Sequence, residues 1–484
     1  MRVSRSVSVI VLLASLTVIG SNAPIQGQAA SVDSELKPYL MQVDPSPVTS
    51  TRVRQMKDAR LRIAGPDYKQ NVKFLEEFAQ HMVFKVTQPK YYYSGSDTGV
   101  LLPRPTSDTL DSVFRELDDY MIRPTAENVG KMSVDNADYI KEFGAALDQA
   151  VQAVMKKNPP PIIRVNAARM LAFAARSGAP AHAKTITALL NDPKTPPEVL
   201  LYAYKAAEGF LGAYDPYAVG RVDANRHCAK EDDLIPLIKA LESQVIPGPQ
   251  IAEHVAESSS IKPPTNPKAP PTPGGVGRLD SGTLTPEQVA VVQYFRRQAV
   301  RALAKVRFDI VGGKNGFPEL RPGLTLARVA VNDAAVVPPA TISEQAEAVI
   351  GLCTISLSPT MNVDELCQAI ATGMIDFARL KNEKPDDRSI PWRVYGSRLT
   401  TAFNELRAST KRNPRALRSA ATINGLAAVV QAEILTRLDR PEAAVSVGPN
   451  VERVLQWQQQ NPPKDTNRQL FDDSPTSKLA PRSN

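Results

Sequence analysis

Hydrophobic positions recur at intervals of three and four along most of this chain, the spacing of one face of an α-helix. A first amphipathic stretch covers Asn71 to Val83 through Val72, Phe74, Leu75, Phe78, Met82 and Val83. A second runs from Leu110 through Val113, Phe114 and Leu117 to Met121. Between them, Tyr91-Tyr92-Tyr93 and Val100-Leu101-Leu102 suggest a small hairpin. From Tyr139 the helical pattern is continuous. Phe143 to Met155 predicts one helix, Pro159-Pro160-Pro161 ends it, and Ile162 to Arg176 predicts its partner. His182 to Leu190, Glu198 to Leu211 and Leu234 to Leu241 follow. Helix restarts at Thr285-Pro286-Glu287-Gln288, which has the order of a cap, a proline at the first helical position and a glutamine at the third. Thr341-Ile342-Ser343-Glu344 and Asn362-Val363-Asp364-Glu365 mark two further starts, and helices continue to about Gln460.

Inside that periodicity a finer pattern repeats. Arg164, Ala167 and Leu171 match Arg296, Ala299 and Leu303 in spacing, and Tyr204, Ala207 and Leu211 form a weaker copy with tyrosine in the arginine position. Arg164 to Tyr204 is a step of 40 residues. On a helix these three positions share a face, where a small alanine admits a neighbouring helix and the leucine one turn on fills the space between layers. The pattern resembles the second helix of a HEAT repeat, and over about half the chain the sequence resembles exported bacterial proteins of the HEAT or armadillo type. That resemblance implies an all-α fold, an α-solenoid of helical hairpins, and a non-catalytic role as a scaffold or adaptor. Such surfaces bind many unrelated ligands, so the resemblance names no partner.

Composition divides the chain. Arg2 and Arg5 precede an uncharged run from Val7 to Ile19 and a small, polar stretch ending Gly27-Gln28-Ala29-Ala30, which reads as a secretory signal over residues 1–29 cut after Ala29. The apolar run is shorter than the about 20 residues that a membrane span needs, so no transmembrane helix is expected in the mature chain. Residues 30–138 are mixed and irregular, 139–244 form a helical repeat segment, and 245–284 are a proline-rich linker. Residues 285–460 are a second helical segment and 461–484 a polar, disordered tail. One solenoid interrupted by the linker and two separate helical segments fit this layout equally well. The formal charge of +8 falls to +6 once Arg2 and Arg5 leave with the signal, a modest lean toward anionic partners.

Few residues carry candidate chemistry. Asp97-Thr98-Gly99 has the form of an aspartic-protease loop, but Ser94-Gly95-Ser96 precedes it in place of a buried strand and no second copy supplies the partner carboxylate. A polar turn accounts for it better. Gly312-Gly313-Lys314-Asn315-Gly316 lacks the glycine spacing and closing hydroxyl of a phosphate loop and reads as a helix-terminating loop after Val311. His227-Cys228 alone makes no zinc site, and no calcium loop, hydrolase elbow or dinucleotide motif occurs. No cofactor or metal is expected.

Basic residues cluster at Arg52 to Arg62 and again at Arg407, Lys411, Arg412, Arg415 and Arg418, the second a candidate anion-binding ridge that Pro414 interrupts. No aromatic residues interleave with these clusters, which argues against nucleic acid. Cys353 and Cys367 stand seven residues either side of Thr360, on helices expected to form a hairpin from Thr341 to Ser356 and from Asn362 to Lys381. That placement allows either a disulfide, leaving Cys228 free, or two buried thiols. The expectation is therefore an exported, periplasmic or secreted helical scaffold that binds a protein partner or an anionic envelope polymer. The alternative of a hydrolase built on Asp97-Thr98-Gly99 is the weaker one.

Overall fold

Proline caps, capping boxes and amphipathic faces place the helices where local rules require. The structure, a computed structural model, describes residues 51, 72–88, 109–121, 134–213, 231–246, 284–313, 319–385, 387–411, 413–438, 448–463 and 469–482. Of these, 74% are helical and none form strands, an all-α protein. In order the helices are α1 (Val72–Thr87), α2 (Leu110–Met121), α3 (Val134–Met155), α4 (Pro161–Ala174), α5 (Pro180–Asn191) and α6 (Pro197–Ala213). There follow α7 (Glu231–Val245), α8 (Pro286–Leu303), α9 (Pro322–Ala330), α10 (Ile342–Thr354), α11 (Val363–Glu383) and α12 (Trp392–Ser409). The last three are α13 (Pro414–Arg418), α14 (Ala420–Val430, continued by a π-helical turn Gln431–Leu435 and by Thr436–Leu438) and α15 (Gly448–Gln460). Thr285 and Thr341 each form the expected capping box, with Gln288 and Glu344, and Asn362 caps α11 by accepting from the Glu365 amide. The secretory segment, the 91–102 hairpin, Asp97, the Arg52 to Arg62 cluster, His227-Cys228 and nearly all of the proline-rich linker lie outside the described residues.

The helices pack in two rows. α4, α6, α8, α10 and α12 touch in that order, and α3, α5, α7, α9 and α11 do the same beside them. The rows are cross-linked by α3 on α4, α5 on α6, α7 on α8 and α9 on α10. Helices on the two sides of the linker pack directly, α6 and α7 against α8, and one contiguous apolar core runs from Leu75 to Leu479. Tyr204 shows the seam. Its ring lies 6.1 Å from that of Phe295, and its hydroxyl donates to Gln244 at 3.2 Å.

All three copies of the Arg/Tyr-Ala-Leu pattern fall on consecutive helices of one row, α4, α6 and α8. Ala167, Ala207 and Ala299 are fully buried there, as are Leu171, Leu211 and Leu303. Gly351 of α10 is tighter still, since a Cβ added to it would stand 2.8 Å from the Ala304 Cα. The first position of the pattern differs between copies. Arg164 is half-buried and reaches Asn158 in the preceding turn, whereas Arg296 is wholly buried. Its guanidinium donates to Glu344 at 2.6 Å and to the carbonyls of Pro338 and Pro339 at 2.7 and 3.2 Å.

Two expectations are corrected. Residues 469–482 are not a disordered tail. Leu470, Phe471 and Leu479 are buried, and the backbone pairs with two inter-helix turns: Asn362 N donates to Leu470 O at 2.8 Å and Ala480 N to Asp333 at 2.6 Å. Three well-spaced apolar side chains outweigh the polar composition that suggested disorder. Nor does Val311 end a helix. It exchanges both backbone hydrogen bonds with Leu320, and Gly312 and Gly313 follow it at φ 86° and 77°, a left-handed conformation that favours glycine.

Replacing Ala299 by Leu is expected to overpack the α6–α8–α10 contact and to cost about 1–3 kcal/mol in denaturant unfolding, with far-UV circular dichroism unchanged. A second test concerns α7 and α9. Burial pushes the Glu242 carboxyl up to about 7, against an opposing hydrogen bond from Thr325. A carboxyl whose folded pKa is raised holds its proton in the fold, so the protein loses stability as pH rises from 4.5, its unfolded value, to about 7. Glu242→Gln should remove that slope and be the more stable protein at pH 8, by on the order of 2 kcal/mol.

Candidate functional site

The row α4–α6–α8–α10–α12 carries an outer face on which one local device recurs. An aromatic residue and a cation three positions later share a helix face, and the cation folds back over the ring. Arg176, in the 3-10 turn that ends α4, lies 5.2 Å from the centroid of Phe173. On α6 Lys205 lies 4.9 Å from Tyr202, on α8 Arg297 lies 5.4 Å from Tyr294, and on α12 Arg398 lies 5.8 Å from Tyr395. Arg169, also on α4, stacks on Phe114 of α2 at 4.4 Å and pairs with Asp111 at 3.1 Å. α10 supplies no such pair and instead contributes Glu347, which accepts from Arg398 at 2.6 Å.

Further cations crowd the same face. Tyr294, Arg297, Arg301 and Lys305 follow at spacings of three, four and four, one stripe along α8 and just past its end. Lys305 lies over Gly212 of α6, where an added Cβ would stand 3.8 Å from its Cδ. Carboxylates hold part of this charge: Glu208 takes Arg301 at 3.0 Å and Glu405 takes Arg307 at 2.9 Å. Among the described residues no carboxylate stands within ion-pair distance of Lys205, Arg297 or Lys305. Burial depresses the pKa of both lysines, and the neighbouring arginines press further in the same direction. These are Arg301 and Arg169 for Lys205, and Arg398, Arg301 and Arg307 for Lys305, with Glu208 opposing in each case. The result is a positive strip from Arg169 on α4 to Arg398 on α12, compact enough that Glu208 of α6 acts electrostatically on Lys205, Lys305 and Arg398.

Sequence reasoning missed this face. Each ring and its cation are three residues apart, but the four pairs come from segments spread over more than 200 residues, Phe173 to Arg398, and only the packing order of the helices joins them. The predicted basic ridge is broken. Arg407 lies in the last turn of α12, Lys411 follows that helix, and Arg418 ends α13, all three exposed. Arg412 and the side chain of Arg415 lie outside the described residues.

Comparison with known proteins adds no constraint. No family model matches the chain, and no curated protein or solved structure matches it.

Two buried clusters remain. Cys353 of α10 and Cys367 of α11 are buried free thiols in the predicted hairpin. Burial raises both thiols well above their usual range, and the neighbouring Cys367 raises Cys353 further. They occupy the arrangement of two core thiols, with no crosslink between them. The other cluster has the hydrogen-bond order of a serine hydrolase: Ser177 Oγ lies 3.1 Å from His182 Nε2, and His182 Nδ1 lies 3.2 Å from Asp148 Oδ1. All three side chains are buried. A Cβ on Gly144 would stand 2.0 Å from Ser177 Oγ, so the backbone of α3 closes the approach a substrate needs. The cluster ties α3 to α5 and the turn between α4 and α5. Among the described residues no group of three His, Cys, Asp or Glu is placed to hold a metal ion.

Burial raises the Asp148 pKa, but hydrogen bonds from His182, Gln152 and Thr185 outweigh it and hold the carboxyl below its ordinary value of 3.8. Such a group stabilises the fold above pH 3.8 and loses that contribution as pH falls through its lower folded value. Asp148→Asn should therefore cost about 1–3 kcal/mol at neutral pH, with a deficit that narrows on acidification below that point. Urea unfolding across the pH range measures both.

Proposed function

We propose that this protein is an exported, non-catalytic helical-repeat scaffold of the α-solenoid type, which presents the outer face of one helix row to a partner in the cell envelope. The observation that carries the reading is the recurrence of a cation over an aromatic ring on α4, α6, α8 and α12. Ring contact limits the motion of each cation, so less side-chain freedom is lost when an anion binds. Three cations without carboxylate partners among the described residues, Lys205, Arg297 and Lys305, give the face a net demand for negative charge, and α2 covers only its α4 end, through Phe114 and Asp111. The two-row packing and the buried Ala-Leu positions support a repeat architecture, since each hairpin buries its apolar side only against its neighbours. Export rests on the charged, apolar and small-residue order of residues 1–29. No helix among the described residues is long and apolar enough to cross a membrane.

Two measurements test this. N-terminal sequencing of the envelope-associated protein should begin at Ala30. Reversing Lys205, Arg297 and Lys305 to Glu should lower retention on native envelope at least tenfold, whereas the same reversal at Arg407, Lys411 and Arg418 should leave it unchanged. The opposite ranking would move the binding surface to the α12–α13 ridge.

A further inference from the structure

We infer that the ring-backed cationic face binds a linear phosphodiester polymer that carries no bases, a polyol-phosphate chain laid over α6 and α8 with its oxyanions on Lys205, Arg297 and Lys305. This rests on the scaffold reading and names the class of its partner.

Lys205 stands on α6, and Arg297 and Lys305 stand eight residues apart along α8 and just past its end, about 12 Å at the helical rise, so one small anion does not meet all three. A long chain reaches all of them. The same i, i+3 pair of ring and cation returns on α4, α6, α8 and α12, and a surface that repeats suits a ligand whose charge repeats at even intervals.

Phosphate suits the face better than carboxylate. Arg301, Arg307 and Arg398 are already held by Glu208, Glu405 and Glu347. A carboxylate polymer would offer these guanidinium groups only the geometry they already have. Two of the three cations without such a partner are lysines, compact point charges that hold a phosphate without demanding a planar match. The arginines around Lys205 and Lys305 add repulsion that a bound anion relieves.

Single-stranded nucleic acid, the other common phosphodiester polymer, does not fit this face. Binding it needs open ring faces on which bases stack. Here a cation already sits over each ring, Phe173 also meets Phe114 at 5.8 Å, Tyr294 meets Phe295 at 5.5 Å, and Tyr395 is buried. The rings position cations and leave no platform for a base.

Equilibrium binding of the full mature chain to synthetic poly(glycerol phosphate) tests the assignment, with polygalacturonate and oligothymidylate of matched charge as competitors. Poly(glycerol phosphate) should bind at least tenfold more tightly than either, with affinity falling steeply and linearly in log salt. Lys205→Glu, Arg297→Glu and Lys305→Glu together should abolish at least tenfold of that affinity. The corresponding Gln variant, less disruptive to the fold, should show a smaller loss in the same direction, with thermal unfolding of both variants recorded alongside. Equal or tighter binding of polygalacturonate or oligothymidylate, or affinity unmoved by the triple substitution, overturns the assignment. A photo-crosslinker at position 297 separates this failure from that of the scaffold reading. No polymer binding with face-dependent crosslinking to a protein ends the polymer assignment alone, and neither polymer binding nor crosslinking ends both.

Discussion

A guanidinium with no exposure to solvent is tolerated only if its charge and its donors are satisfied, and Arg296 sets that condition at the centre of this fold. Glu344 neutralises it, and the carbonyls of Pro338 and Pro339 accept from its two terminal nitrogens. Glu344 also accepts from the Thr341 amide and hydroxyl at 2.6 and 2.8 Å, closing the capping box that starts α10. One carboxylate thus joins α8, the start of α10 and the loop before it. Removal of either partner would strand the other as a buried charge, a cost of roughly 3–5 kcal/mol. The position of α10 between α8 and α12 depends on this pair, and so does the continuity of the face those helices build.

The interior and exterior of that row are two consequences of one choice of residue size. Ala167, Ala207, Ala299 and Gly351 let the helices approach closely. Close axes bring outward-pointing side chains of adjacent helices into electrostatic reach, which is why Arg301 of α8 presses on Lys205 of α6 and is held by Glu208. The small residues of the core therefore concentrate the charge on the surface.

A similar contrast explains the buried Ser177–His182–Asp148 cluster. Hydrogen bonding in the right order is necessary for nucleophilic catalysis, but access and a place for the developing oxyanion are necessary too. Gly144 removes the first of these by letting α3 lie against the serine. The same polar set that would activate a nucleophile at a surface instead stabilises a helix junction here.

Helix positions were legible in the sequence because the signals that set them are local. Pro161, Pro180, Pro197, Pro286 and Pro322 sit at helix starts, and the Thr285 and Thr341 boxes act within four residues. The Ala-Leu pattern was legible for the same reason, since the face it marks is a property of one helix. The packed strap at 469–482 was not, because Leu470, Phe471 and Leu479 are buried against turns more than 100 residues earlier. Nor was the cationic face. Phe173-Arg176, Tyr202-Lys205, Tyr294-Arg297 and Tyr395-Arg398 are each unremarkable pairs along the chain, and only the order in which helices pack makes them one surface. Local spacing determined which residues share a face of each helix. Tertiary packing decided which faces meet, because burial of apolar area is non-directional and selects neighbours without regard to their distance in sequence.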